Sequence, residues 1–442
     1  MAEITVELSL VFEIPDSGLT INGLIGGLKQ AVGQIDGKIL ETLMQALEER
    51  LIEGMVHSDP ERYRRNGTQS KPRLLKSSLG TIGYRFAQLR DRHTGRSLTP
   101  LVEALAIPAY NHYLEEALEP GIGLSMHVSF RRATSEVERI GGVSMSHTTV
   151  HRRLQEVARS HDPFGEMKDR AFRFLLADGT KVHLQGPAGK DLGQVEMRWV
   201  MASSGSPSGF EPVGFWLDTE WAEIRKELES RLDYQKLEVL FCDGGPGIEE
   251  NLLHPGMKPQ RCEWHAKRDF PYLLYADGFK KAEQTALLDK LQAIPVMNVT
   301  QTKLEALRAE DRAVVEQIVE KTQQGFEQLL QALDPQRYPH TRTYIENLIE
   351  PVTTFLHWWL EKGELIPFTT NAIENAFSRV NNRIKRVGRR WSEKGLLNWL
   401  KVTFYKIFKP ELWTTLWNTE RDFTRIKLIS LEISWRWSEA ST

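Results

Sequence analysis

Two short stretches constrain this chain more than any others. FRFLLADGT, Phe172 to Thr180, is an apolar run ending in Asp178 and a glycine turn. LEVLFCDGGPGI, Leu237 to Ile248, repeats the pattern and ends in Asp243 and Gly244-Gly245. An apolar run of this length bounded by turn residues reads as a buried strand. A buried strand that stops at Asp-Gly puts its acid at the sheet edge, where clefts form in open sheets.

A third carboxylate sits in TTNAIENAFSRVNNRIKRVGRR, Thr369 to Arg390. This stretch reads as one helix, with Asn371 as N-cap and Glu374 at capping-box spacing. A basic ladder follows: Arg379, Arg383, Lys385, Arg386, Arg389 and Arg390. Taken alone the ladder is either a solvated face or a surface for a polyanion. Three clustered carboxylates cannot all ionise comfortably unless a divalent cation sits among them. Hard oxygen ligands suit Mg²⁺ or Mn²⁺, and two such ions can clamp both sides of a phosphoryl displacement. The expectation is that Asp178, Asp243 and Glu374 converge.

The order Asp178, Asp243, Glu374 resembles the DDE triad of transposases with a ribonuclease H-like fold. TTNAIEN resembles the block around the catalytic Glu in mutator-type bacterial insertion-sequence transposases, relatives of the eukaryotic Mutator-like elements. RCEWHAKRDF, which holds Cys262 and His265, resembles the Cys-x-x-His pair of that superfamily. The resemblance covers roughly residues 170–410. It implies a DDE transposase that cleaves and transfers DNA strands at the terminal inverted repeats of an insertion sequence. Asp178, Asp243 and Glu374 would be its catalytic metal ligands, holding two Mg²⁺ ions, with Mn²⁺ able to substitute. The implied partners are double-stranded DNA, both element ends and target, and at least a second copy of the chain, because two ends must be joined. The implied setting is a bacterial cytoplasm, on the nucleoid when DNA is bound. Two alternatives stay open: a ribonuclease H-fold DNA nuclease, and a domesticated DNA-binding protein without transposition activity.

Three readings stay open for Cys262 and His265. They are zinc ligands short of partners, since Cys242 is the one other thiol, or a positioning pair near the acids, or structural packing. The chain from Asp178 to Asp243 has room for central strands. The stretch from Asp243 to Glu374 is about twice as long, too long for a simple connection. ALLDKLQAI, TKLEALRAEDRAVVEQIVEKTQQGFEQLLQAL and TRTYIENLIEPVTTFLHWWLEK within it look helical. The expected fold class is therefore α/β. A ribonuclease H-like domain, with a mixed five-stranded sheet and flanking helices, is interrupted by an all-helical insertion and preceded by a mainly helical DNA-binding region. The expected domains are 1–58, a strand and helix for packing or dimerisation; 59–160, DNA binding; 161–272, the first catalytic part; 273–365, the insertion; and 366–442, the Glu helix and tail.

Ahead of the acids, EITVELSLVFE alternates like a strand. Residues 37–53 read as an amphipathic helix with Leu40, Leu43, Met44, Leu47 and Leu51 on one stripe. Residues 59–100 are strongly basic and contain a hairpin-like TIGYRF. Arg64, Arg65, Lys71, Arg73 and Lys76 read as DNA-backbone contacts or as a solvated surface. Residues 129–158 read as a helix-turn-helix, with Thr148, Thr149, His151, Arg152 and Arg153 able to reach a groove or phosphates, or as a plain helix pair. A helix is also expected over 100–118, and IKLISLEISWRWS alternates like a terminal strand.

A chain of 442 residues predicts two to four domains. The net charge of −2 shows no general attraction to polyanions, so local patches must decide. Two cysteines fit a reducing cytoplasm without a disulfide framework. Met1 to Pro15 is too acidic and alternating for a secretory signal, and FLHWWL is too short to span a membrane.

Overall fold

A computed structural model describes residues 20–107, 112–205, 209–298, 307, 309, 311–387 and 391–417. The strands expected at 3–13 and 426–438, together with Arg389 and Arg390, lie outside the described residues. The chain forms two compact units. One contains Met1–Gly121, Thr134–Met145 and Lys409–Thr442; the other contains Ile122–Ala133 and Ser146–Phe408.

The first unit is built on helix α1 (Ile21–Ser58), started by the Thr20 hydroxyl accepting from the Gly23 amide at 3.0 Å. It is longer than the helix expected over 37–53. Five strands follow: β1 (Tyr63–Thr68), β2 (Arg73–Ser77), β3 (Gly80–Tyr84), β4 (Ala87–Asp91) and β5 (Ser97–Leu98). β2 and β3 form the expected hairpin, and β1, β4 and β5 form a separate sheet. The region ahead of residue 161 is mainly helical, as expected, and its strands between 63 and 98 go beyond the single hairpin that was expected there. Alternation in RLLKS and GTIGY turns Leu75, Ile82 and Tyr84 inward, where they pack with Met44, Phe86 and Leu101. The expected helix over 100–118 is instead two helices, α2 (Pro100–Ala104) and α3 (Glu115–Ser125). Helix α4 (Phe130–Gly141) comes next, and the division between the units falls within both α3 and α4.

On α1, Glu48 is buried along with Met44 and Ile52, whereas Leu47 faces outward. The Glu48 carboxylate accepts from the Tyr84 hydroxyl at 2.9 Å and from the Ala87 amide at 2.9 Å. Glu48→Ala strands both donors and is expected to cost about 2 kcal/mol in urea unfolding of the full chain. A loss below about 0.5 kcal/mol would show that water replaces the carboxylate.

In the second unit, Ser146 caps α5 (His147–Ser160) as the sequence suggests, its hydroxyl accepting from the Thr149 amide. The sheet strands are β6 (Phe174–Gln185), β7 (Asp191–Ser203), β8 (Glu211–Leu217), β9 (Val239–Cys242) and β10 (Lys258–Arg261). Their order is β10-β9-β6-β7-β8: an antiparallel meander β6-β7-β8, with β9 parallel to β6 and β10 parallel to β9. Helices α6 (Trp221–Arg231) and α7 (Ile248–Leu252) flank β9 in sequence. Leu175, Val200 and Leu240 turn to one side and pack with Ile224 and Leu228 of α6. After β10 come α8 (Glu263–Ala276), α9 (Lys281–Ala293), α10 (Arg312–Ala332), α11 (Pro339–Lys362) and α12 (Asn371–Asn381). A π-helical turn, Asn382–Arg386, leads on to α13 (Glu393–Phe408). The chain between Asp243 and Glu374 is thus dominated by helices among the described residues.

The expected helix-turn-helix is represented by α4 and α5, but α5 packs against α13. Val150, Leu154 and Val157 are its buried stripe, and Asn398 of α13 donates to Gln155 at 2.5 Å. No helix among the described residues is long and apolar enough to cross a membrane.

Candidate active site

Strand pairing brings the first two acids together. β6 and β9 run parallel with Leu176 opposite Phe241. Two residues further along each chain stand Asp178 and Asp243, so both follow the same face of the sheet. That face is the one opposite α6, since Leu175 and Leu240 take the other. The sequence reading placed Asp178 at a strand end before a glycine turn, and the structure corrects this. β6 runs on to Gln185 because β7 pairs beyond the acid, with Asp178 opposite Trp199 and Gly179 opposite Arg198. Asp178 sits where β9 stops rather than where its own strand does. Asp243 does follow the end of β9, and Gly244, at φ +84°, makes the turn that lets the Gly245 amide donate to the Asp243 carboxylate at 2.8 Å.

Glu374 reaches the same edge through contacts that no local pattern shows. The Cys262 amide donates to the Cys242 carbonyl at 2.9 Å, tying the start of α8 to the residue before Asp243. The Thr370 amide donates to Cys262 Sγ at 3.4 Å, tying the start of α12 to the start of α8. The Thr370 hydroxyl then lies 3.2 Å from His265 Nδ1 and donates to Glu374 Oε1 at 3.1 Å. With that proton committed to the carboxylate, Nδ1 carries the hydrogen that meets the hydroxyl. Thr370, not Asn371, is the residue that precedes the helix, and its hydroxyl serves Glu374 instead of capping a backbone amide. Phe377, one turn after Glu374, packs on Trp199 with ring centroids 4.9 Å apart, which holds α12 over β7 next to Asp178.

The electrostatics follow from this crowding. Asp178 is only 7 % exposed. Burial, followed by repulsion from Asp243 and Glu374, pushes its carboxyl up to about 7, although the Gly179 amide and His265 pull the other way. Burial opposes the charged forms of Cys262 and His265 too. Even so, hydrogen bonds from His265 and Thr370 hold the Cys262 thiol below its ordinary value, and the bond to Cys262 raises His265. One ligand atom each from Cys262, His265 and Glu374 lies within 4.8 Å of the others. That is three donors, one fewer than a structural zinc takes.

The basic residues separate into three kinds. Arg379, Lys385 and Arg386 are exposed, and Lys385 donates to Thr180 at 2.6 Å and interacts with Asp178. Arg383 was expected on the DNA surface, and the structure corrects that. It is 4 % exposed, donates to the Ser125 and Val387 carbonyls, and lies over Trp391 at 4.4 Å. Burial alone lowers its pKa to about 10. Buried and bonded to two backbone carbonyls, it packs inside the protein and is not offered to phosphate. Elsewhere, Arg64, Arg65 and Lys71 are exposed, Arg73 is half-buried, and Lys76 is held by the Tyr113 hydroxyl at 3.2 Å. Along α5, Thr148, His151 and Arg152 are exposed. Thr149 is engaged in the cap, and Arg152 and Arg153 lie 3.9 and 3.4 Å from Glu156. The sequence reading missed Thr370 and Arg268. Arg268 stands one helical turn after His265, and its charge interacts with Asp243 and Asp178. The i to i+3 spacing in HAKR was the available signal.

The fold and site define a mixed α/β protein with Asp178 and Asp243 on adjacent strands and Glu374, at the start of a helix, within electrostatic reach of Asp178. The sequence profile of the Transposase IS66 family matches residues 124–397, more than half of the chain. The chain belongs to this family of insertion-sequence transposases. The resemblance pointed to the mutator type, whereas the family that matches is another transposase family. Two strand acids and a Glu near a helix start describe a site and not a lineage, so they could not separate the two. The profile of an uncharacterised protein family (UPF0236) matches residues 14–197. No curated protein matches the chain.

Proposed function

We propose that this chain cleaves the terminal inverted repeats of its element and joins them to target DNA, with Asp178, Asp243 and Glu374 as the catalytic acids. The observation that carries the proposal is that Asp178 lies buried within electrostatic reach of both Asp243 and Glu374, and burial first, then those two acids, push its carboxyl up to about 7. The donor set is all hard oxygen, and a carboxyl whose charged form is opposed by burial and by two nearby acids is relieved by a divalent cation, so Mg²⁺ or Mn²⁺ fits. Two such ions per site, held by the three acids, would supply Lewis acidity at the attacking and leaving oxygens. The chain's own residues do the rest. Thr370 and His265 fix Glu374, Lys385 and Arg386 face the DNA backbone beside the acids, and Cys262 ties α12 to the end of β9. The strand order, a meander followed by two parallel strands, supports a ribonuclease H-like fold. Joining two ends calls for at least two copies acting together on double-stranded DNA. The basic face of Arg64, Arg65 and Lys71 and the exposed side of α5 are further candidates for holding it.

The test is to supply purified protein with Mg²⁺ or Mn²⁺, its own element ends and a target plasmid. Joined products are expected. Cleavage without joining would favour the nuclease alternative, and end binding without cleavage the regulator. In a separate salt titration, Lys385→Ala with Arg386→Ala is expected to lower DNA affinity and flatten the dependence of log K on log salt by about 1 per side chain. An unchanged slope removes both from the interface.

A further inference from the structure

α8 starts at the acid site and carries a second, unassigned feature along its outer side. Its inner side is buried through His265, Ala266, Phe270 and Leu274. On the outer side stand Trp264, Arg268, Tyr272 and Tyr275, which fall within about 80° of one another at 3.6 residues per turn. Trp264 is 51 % exposed, Tyr272 71 % and Tyr275 72 %. Three large rings this open along one helix face leave an aromatic stripe on the surface that the fold itself does not cover. The Arg268 guanidinium lies over the Trp264 ring at 5.6 Å, hydrogen-bonded to Asp269 and exposed. The stripe runs about 16 Å at 1.5 Å per residue, from the acids outward.

We propose that this face of α8 is a track for an unpaired DNA strand leading into the acid cluster. The inference rests on the phosphoryl-transfer reading of that site. Aromatic rings interspersed with a cation suit successive bases and phosphates of a single strand, and stacking tolerates any sequence. A duplex keeps its base faces turned inward and has none to offer. Trp, Tyr and Arg also suit protein interfaces. Continuity decides between the two: the helix that carries the rings also carries His265, which meets Glu374 through Thr370, and Arg268, whose charge reaches Asp243 and Asp178. A strand whose phosphate is handled at those acids has this helix beside it.

The test is fluorescence anisotropy with the full chain carrying Asp178→Asn, in EDTA, so that no chemistry occurs. The probes are a labelled twelve-nucleotide oligothymidylate and a blunt duplex. Adding Trp264→Ala, Tyr272→Ala and Tyr275→Ala together is expected to weaken single-strand binding about tenfold or more, the stacking of one base or better. Duplex binding is expected to stay within about twofold. Tyr272→Phe with Tyr275→Phe keeps the rings and is expected to keep the affinity, which separates lost stacking from a disturbed helix. Unchanged single-strand affinity in the triple variant, or no binding by the parent, overturns the proposal. So does a triple variant that merely changes the oligomeric state, which would make the face an interface between copies. If the wild type neither cleaves nor joins while ring-dependent strand binding persists, the phosphoryl-transfer reading of the acids falls and the strand-binding face stands without it. The converse result removes the track alone.

Discussion

Asp178→Ala, Asp243→Ala and Glu374→Ala are each expected to lower strand cleavage and joining by about 10³-fold or more, with binding to the element ends retained. The size follows from the several kcal/mol of charge stabilisation that a lost metal site would withdraw. Binding survives because the cationic groups assigned to the DNA backbone, Lys385 and Arg386 among them, are exposed and are not built from these acids. Single-turnover cleavage beside a gel-shift titration measures both quantities. Normal strand transfer in any one variant would show that its carboxylate had been misassigned. Thr370→Ser keeps the hydroxyl between His265 and Glu374 and is expected to retain activity. Thr370→Val keeps the volume, removes the bond, and is expected to lose part of it.

The second large effect is on stability, and it runs opposite to activity. Asp178 is raised in the folded chain from an ordinary 3.8 to about 7, first by burial and then by Asp243 and Glu374. A raised carboxyl leaves the fold unpenalised at low pH, where folded and unfolded chains both hold the proton. As pH climbs above about 4 the unfolded chain releases it while the folded one resists. Stability therefore falls between about pH 4 and pH 7 and levels off above. Full ionisation in the cation-free fold costs up to about 4 kcal/mol. Asp178→Asn removes the titration and can still accept from the Gly179 amide. In EDTA the variant is expected to be more stable than wild type by about 1–4 kcal/mol at pH 8, and by less than about 1 kcal/mol at pH 4. Mg²⁺ is expected to narrow the gap at pH 8 by stabilising the ionised wild type. Equal stability of the two proteins across this range would mean that Asp178 is solvated and not crowded.

Much of the site was legible before any coordinates. The apolar runs before Asp178 and Asp243 became adjacent parallel strands, β6 and β9, because short buried strands declare themselves by composition. Glu374 was legible as a residue in the first turn of a helix. The hairpin of β2 and β3 and the Ser146 cap were equally local. Where the reading failed, the deciding contact was distant. Arg383 looked like one rung of a solvated ladder, and what buries it includes the Ser125 carbonyl, 258 residues away in sequence. β6 outran its glycine because β7 pairs along it, and the strands at 63–98 were partly hidden under a basic composition.

The sequence by itself determined which side chains could do chemistry here: three acids in a fixed order, two of them after apolar runs and one near a helix start. It could do so because strand alternation and helix entry are properties of a few neighbouring residues. Only the tertiary structure decided that Asp178 is crowded, that Thr370 and His265 hold Glu374, that Arg383 is packing and that α8 turns a row of rings outward. Those facts depend on which surfaces meet, and desolvation and pairing act between segments far apart in the chain.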